Sequence, residues 1–127
     1  MKIGVRELVK KAEAEIETIS VQTALQRYQD DDTLVVDLRD VRERKRDGKI
    51  PGSFHMPRGM LEFWIDPESP YYNAIFSTKK KFIFYCNKGW RSALATQTAQ
   101  HMGLENVVHI DGGFEAWELI KAPVENG

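Results

Sequence analysis

The chain has a single cysteine, Cys86, so no internal disulfide can form, and an unpaired thiol suits a reducing, cytoplasmic setting. No segment approaches the roughly 18 consecutive apolar residues needed to span a bilayer. Met1 to Glu17 is studded with Lys, Arg and Glu and lacks the apolar centre of a secretory signal. Excess charge is also missing. Eighteen basic against nineteen acidic residues leave a net charge of −1, which gives no global reason to expect nucleic acid or an anionic membrane as partner. Any anion handled here needs a local site. The three histidines, His55, His101 and His109, lie far apart with no ligand spacing, so no metal site is expected. Repeats, low-complexity tracts and linkers are absent.

What is present fits one compact domain. Its 127 residues leave no room for a second core, and 42% apolar with 29% charged residues is an ordinary globular balance. Met1 to Ala14 reads as a short amphipathic helix, with Val5, Leu8, Val9 and Ala12 at helical spacing. Glu15 to Ile19 suits a brief strand, and Ser20 offers an N-cap for a helix through Tyr28. Thr33 to Leu38 is a continuous apolar run of the kind buried on both faces of a parallel sheet. Asp40 with Glu43 resembles a capping pair opening a helix that stops at Gly48, and the basic residues of Arg42 to Lys49 read as one solvated face.

Ser53 to Met56 is a short extended piece. Lys81 to Cys86 (KFIFYC) is the strongest strand signal, followed by a helix from Arg91 to Met102 closed by Gly103. Asn106 to Ile110 reads as another strand and Phe114 to Ile120 as a last helix. Strands alternating with helices predict an α/β fold with a mostly parallel central sheet flanked by helices. Sites in such sheets gather at the carboxyl ends of strands. Asp37 to Arg39, Cys86 to Ser92 and Asp111 to Gly113 all fall there.

Cys86 to Ser92 reads CNKGWRS, between a buried strand and a helix. A tight loop at a helix N-terminus turns unpaired N–H groups inward as an anion-binding nest. Gly89 supplies the backbone freedom such a turn needs. A thiol at the first position sits where N–H groups and the helix dipole favour a thiolate, and Lys88 and Arg91 add positive charge. That is the setting of a reactive cysteine.

The loop resembles the Cys-x-x-Gly-x-[Arg/Thr] active loop of the rhodanese family. Three more segments agree in order: Val35 to Asp40 (VVDLRD), Gly48 to Pro57 (GKIPGSFHMP) and Asp111 to Trp117 (DGGFEAW). The resemblance covers roughly Glu15 to Pro123. It divides the chain into an N-terminal helical extension, 1–14, and a three-layer rhodanese-like domain, 15–127. It implies a sulfurtransferase that carries a sulfane sulfur as a persulfide on Cys86, without metal or organic cofactor. The donor would be thiosulfate or a similar compound, and the acceptor cyanide, a thiol or a protein.

On this resemblance Asn87, Lys88, Gly89, Trp90, Arg91 and Ser92 would bind substrate, with Trp90 as a pocket wall. Asp37 and Arg39 would brace the site, and Arg91 would pair with Asp37 or Glu43. Asn87 stands where several relatives carry Arg. The stretch Arg58 to Phe76 is longer and more aromatic than a minimal domain requires and could form a flap near the loop.

Two other functions compete. A cysteine-dependent phosphatase needs Cys-x5-Arg, whereas only four residues separate Cys86 from Arg91, leaving a smaller loop better suited to a sulfur atom than to a phosphoryl group. A persulfide carrier or binding module would instead dock to a partner through Trp64 and Tyr71–Tyr72.

Overall fold

The computed structural model describes residues 1–127. Five strands form one sheet: β1 (Glu17–Ile19), β2 (Thr33–Asp37), β3 (Phe54–His55), β4 (Lys81–Tyr85) and β5 (Val107–Ile110). Their order is β1-β5-β4-β2-β3 and every pairing is parallel. The helices are α1 (Val5–Glu15), α2 (Val21–Arg27), α3 (Val41–Asp47), α4 (Leu61–Ile65), α5 (Trp90–Met102) and α6 (Gly113–Leu119).

The period-two geometry of the strands sorts their side chains into two cores. On one face Val35, Ile83, Tyr85 and Ile110 meet Ala24 of α2 and Phe114 and Trp117 of α6. On the other, Val36, Phe82, Phe84 and Val107 meet Leu61 and Ile65 of α4, Phe76, and the small Ala95 and Ala99 of α5. Helix, sheet and helix make three layers. Helix α1 packs on α5: Val9 and Ala12 are buried against Ala93, and the carboxylate of Glu15, its last residue, accepts from Gln97 Nε2 at 2.8 Å.

Local chemistry sets the boundaries. The Ser20 hydroxyl accepts from the Thr23 N–H and starts α2. Asp40 Oδ1 accepts from the N–H groups of Arg42 and Glu43 and starts α3. The reciprocal half of that expected capping pair is not formed, because the Glu43 carboxylate turns to Arg91 instead.

The stretch Arg58 to Phe76 covers the second core, with Leu61, Ile65 and Phe76 buried. Trp64 and Tyr72 pack partly buried against the same core, and Trp64 lies against Phe54 with ring centroids 5.9 Å apart. Only Phe63 and Tyr71 of its aromatic rings face outward, stacked edge-to-face at 6.3 Å.

Candidate active site

β4 delivers Cys86 to the carboxyl edge of the sheet, and the next residues turn straight into α5. Gly89 is the N-cap of that helix with φ +110°, a left-handed value that side chains resist. The turn folds the backbone over the sulfur. Gly89 N–H donates to Cys86 Sγ at 3.1 Å, and Ser92 N–H at 3.4 Å. The sulfur also lies 3.5 Å from Ser92 Oγ. Cys86 itself is 1% exposed, so this is a recessed sulfur met by donors rather than a surface thiol.

α6 fixes the loop from the other side. Phe114 N–H donates to the Cys86 carbonyl at 2.8 Å and Glu115 N–H to the Asn87 carbonyl at 3.0 Å. Gly113 makes that approach possible. A Cβ there would meet the carbonyl oxygens of Cys86 and Asn87, the second at 2.7 Å.

Behind β2 lies a buried ionic cluster. Asp37 accepts from Arg39 Nε and Nη2 at 3.0 and 2.8 Å, from Arg44 Nη1 at 2.9 Å and from the Tyr85 hydroxyl at 2.7 Å. Burial opposes the Asp37 charge, but the Arg39 and Tyr85 hydrogen bonds and the Arg39 charge outweigh it and hold the carboxyl below its ordinary range. Burial first, and the Asp37 charge second, push Tyr85 upward. The Arg39 guanidinium also sits 4.2 Å from the Phe114 ring centroid, tying this cluster to α6 and so to the loop.

A second polar chain runs from the sulfur in the opposite direction. Ser92 Oγ is 2.9 Å from His109 Nδ1, and His109 Nε2 is 3.1 Å from Thr18 Oγ1 on the edge strand. Burial lowers the His109 pKa to about 4, with the nearby Asp111 charge opposing, so the ring is neutral near pH 7.

A sulfur ringed by loop N–H groups at the end of a parallel strand narrows the choice of families, and the comparison with family models decides it. Residues 20–119 match the model of the rhodanese-like domain. The chain belongs to the rhodanese-like domain family. It is 31% identical over 88 residues to human thiosulfate:glutathione sulfurtransferase, covering 63% of this chain and 76% of that protein. It is 30% identical over 91 residues to a mouse thiosulfate sulfurtransferase/rhodanese-like domain-containing protein 3, covering 68% of this chain and 58% of that one. A solved structure from Rhodopseudomonas palustris CGA009, described as a protein of unknown function and possible tyrosine phosphatase, is 51% identical. It superposes with a TM-score of 0.96 over 98% of this chain and 96% of that one.

Within this rhodanese-like framework, the residues expected to bind substrate separate by environment. Gly89 and Ser92 touch the sulfur. Asn87, Lys88, Trp90 and Arg91 line a shallow recess outside it. Trp90 walls that recess with 48% of its surface exposed. Lys88 reaches into water, 4.0 Å from Glu115. Arg91 is committed to Glu43, donating to both carboxylate oxygens at 2.8 and 3.0 Å, and these bonds raise its pKa. Asp37, the other carboxylate expected to pair with it, is held by Arg39 and Arg44.

Two participants escaped the sequence. Arg44 is not part of a solvated face but 7% exposed on Asp37. The placement of α3 over the sheet buries it, and a run of basic residues does not reveal which one turns inward. His109 has no ligand spacing in the sequence and no role that spacing reveals. A lone polar residue inside the apolar run VVHI was the available signal, because a strand buried on both faces must satisfy it.

Proposed function

We propose that this protein is a sulfurtransferase that takes a sulfane sulfur from thiosulfate or a similar donor onto Cys86 and passes it to cyanide, a thiol or an acceptor protein. The Cys86 thiolate attacks the outer sulfur of thiosulfate. A bond forms between Sγ and that sulfur, the donor's S–S bond breaks, and sulfite leaves with the electron pair. The acceptor then attacks the outer sulfur of the persulfide and returns the thiolate. Covalent catalysis of this kind splits one difficult transfer into two easier ones.

The observation that carries this reading is the recessed Cys86 Sγ at the start of α5, taking N–H donors from Gly89 and Ser92. Those donors, with the first-turn N–H groups of Trp90 and Arg91 that have no acceptor within the helix, suit a single sulfur anion. Asp37 and Arg39 support the loop at a distance, through Tyr85 and Phe114.

Phosphate-ester hydrolysis is a second reading, favoured by the description of the Rhodopseudomonas protein. It needs an arginine free to grip three phosphoryl oxygens. Here the loop spans four residues between Cys86 and Arg91, and the Arg91 guanidinium is engaged with Glu43.

The intact mass of the protein, with an aryl-phosphate assay beside it, tests both. Thiosulfate adds one sulfur atom, cyanide removes it with release of thiocyanate, and Cys86→Ala abolishes the cycle, while aryl phosphates are not turned over. Sulfur transfer surviving in the alanine variant sinks the assignment, and robust aryl-phosphate hydrolysis reverses the ranking.

A further inference from the structure

The Cys86 thiol is buried, and the approach to its front is the path a sulfur donor must use. The route behind it is polar throughout. Cys86 Sγ, Ser92 Oγ, the two ring nitrogens of His109 and Thr18 Oγ1 follow one another at 3.5, 2.9 and 3.1 Å. Thr18 is His109's register partner on β1, the edge strand, and it is exposed to solvent. Resting on the sulfur-transfer reading, we propose that Ser92, His109 and Thr18 form a relay that conducts the Cys86 proton through the sheet edge to water.

The protons balance. In the thiol state each group donates outward: S–H to Ser92 Oγ, Ser92 O–H to His109 Nδ1, His109 Nε2–H to Thr18 Oγ1, and Thr18 O–H to water. One concerted shift along the chain hands a proton to water or a buffer base and leaves a thiolate. Every link then points inward, with Thr18 O–H donating to Nε2, Nδ1–H to Ser92 Oγ, and Ser92 O–H to the sulfur anion. Three protons remain for three links, so no buried polar atom on the chain is orphaned in either state.

Only a neutral imidazole, with one donor and one acceptor nitrogen, can serve both orientations. The low pKa of His109 keeps it in that form. Asp111 is the charged group acting on the ring, and the side chains bonded to it from α5 and β1 are the uncharged Ser92 and Thr18. His109 and Thr18 are thus positioning residues, acting on the sulfur through Ser92.

The relay is tested without any sulfur donor, so its failure and the failure of sulfur transfer are separate results. Full-length protein is jumped from neutral to mildly alkaline pH, across the ordinary thiol range of about 8.5, in a stopped-flow instrument, and thiolate absorbance is followed in the ultraviolet. Cys86 is the only cysteine, so the thiolate signal has one source. Thr18→Val keeps the β-branched shape on the edge strand and removes the outlet. It slows thiolate formation at least roughly 10-fold while leaving the final amplitude in place. Thr18→Ser restores the rate, and His109→Phe, which cuts the chain further in, is at least as slow as the valine variant. A wild-type rate in Thr18→Val, or a loss of amplitude without a loss of rate, overturns the proposal.

Discussion

The positive residues around Cys86 differ in how much water reaches them, and that difference sets what each can contribute. Lys88 has 73% of its side chain exposed and stands 4.0 Å from the Glu115 carboxylate, so solvent, salt and a competing anion all weaken its pull. An exposed contact of this kind is worth well under the strength of a buried pair. Lys88→Ala is expected to lower kcat/KM for thiosulfate only about 2- to 5-fold, mostly through KM, with the difference shrinking as ionic strength rises. Steady-state kinetics at low and high salt check this. A salt-independent loss in kcat would instead place Lys88 in the activation of the sulfur. Arg91 is different. Its bidentate bond to Glu43 spends the guanidinium on joining α3 to the start of α5, which is a means of fixing the loop.

The elements were legible to different depths. The strands β2 and β4 follow from apolar runs that fit burial on both faces, and the starts of α2 and α3 follow from Ser20 and Asp40, because both signals are local. The Cys86 loop was legible for the same reason: strand, tight turn and helix are contiguous in the chain. Contacts that join distant elements were not. Glu43 satisfies the local rule for a capping pair, yet the longer-range bond to Arg91 outcompetes it. The stretch Arg58 to Phe76 has no clean period, so its role as a cover for the second core emerges only when Leu61, Ile65 and Phe76 find that core. The junction of α6 with the loop is of this long-range kind, and a glycine carries it. Gly113 has φ +58°, and any Cβ there collides with the carbonyls of Cys86 and Asn87. Gly113→Ala must either push α6 away or twist the loop, at a cost of about 2–4 kcal/mol. Urea denaturation reads the stability loss, and sulfur transfer falls with it because the loop N–H groups lose their aim. A variant of unchanged stability would mean that α6 does not hold the loop.

Across the whole molecule, two buried polar systems flank the sheet's carboxyl end, and they respond to acid in different pH ranges. His109 is neutral in the fold with a pKa of about 4, against an ordinary value of 6.5. Between those values the unfolded chain binds a proton at this position and the folded chain does not. Stability therefore rises with pH through that window, and acidification from neutrality toward pH 4 removes up to about 3 kcal/mol through this one group. The Asp37 carboxyl, held below its ordinary value of 3.8 despite burial, keeps its charge throughout that window and gives up its stabilisation only at lower pH. Acid should thus weaken the His109 side first, while the cluster of Asp37, Arg39, Arg44 and Tyr85 stays intact. His109→Gln retains a donor and an acceptor for Ser92 and Thr18 but has no proton to gain. Urea midpoints measured at intervals from neutral pH down to pH 4 are expected to fall steeply for the natural protein and to be markedly flatter for the glutamine variant. Parallel acid slopes in the two proteins would show that His109 is charged in the fold or that other groups dominate its window, and the neutral ring on which the relay depends would lose its support.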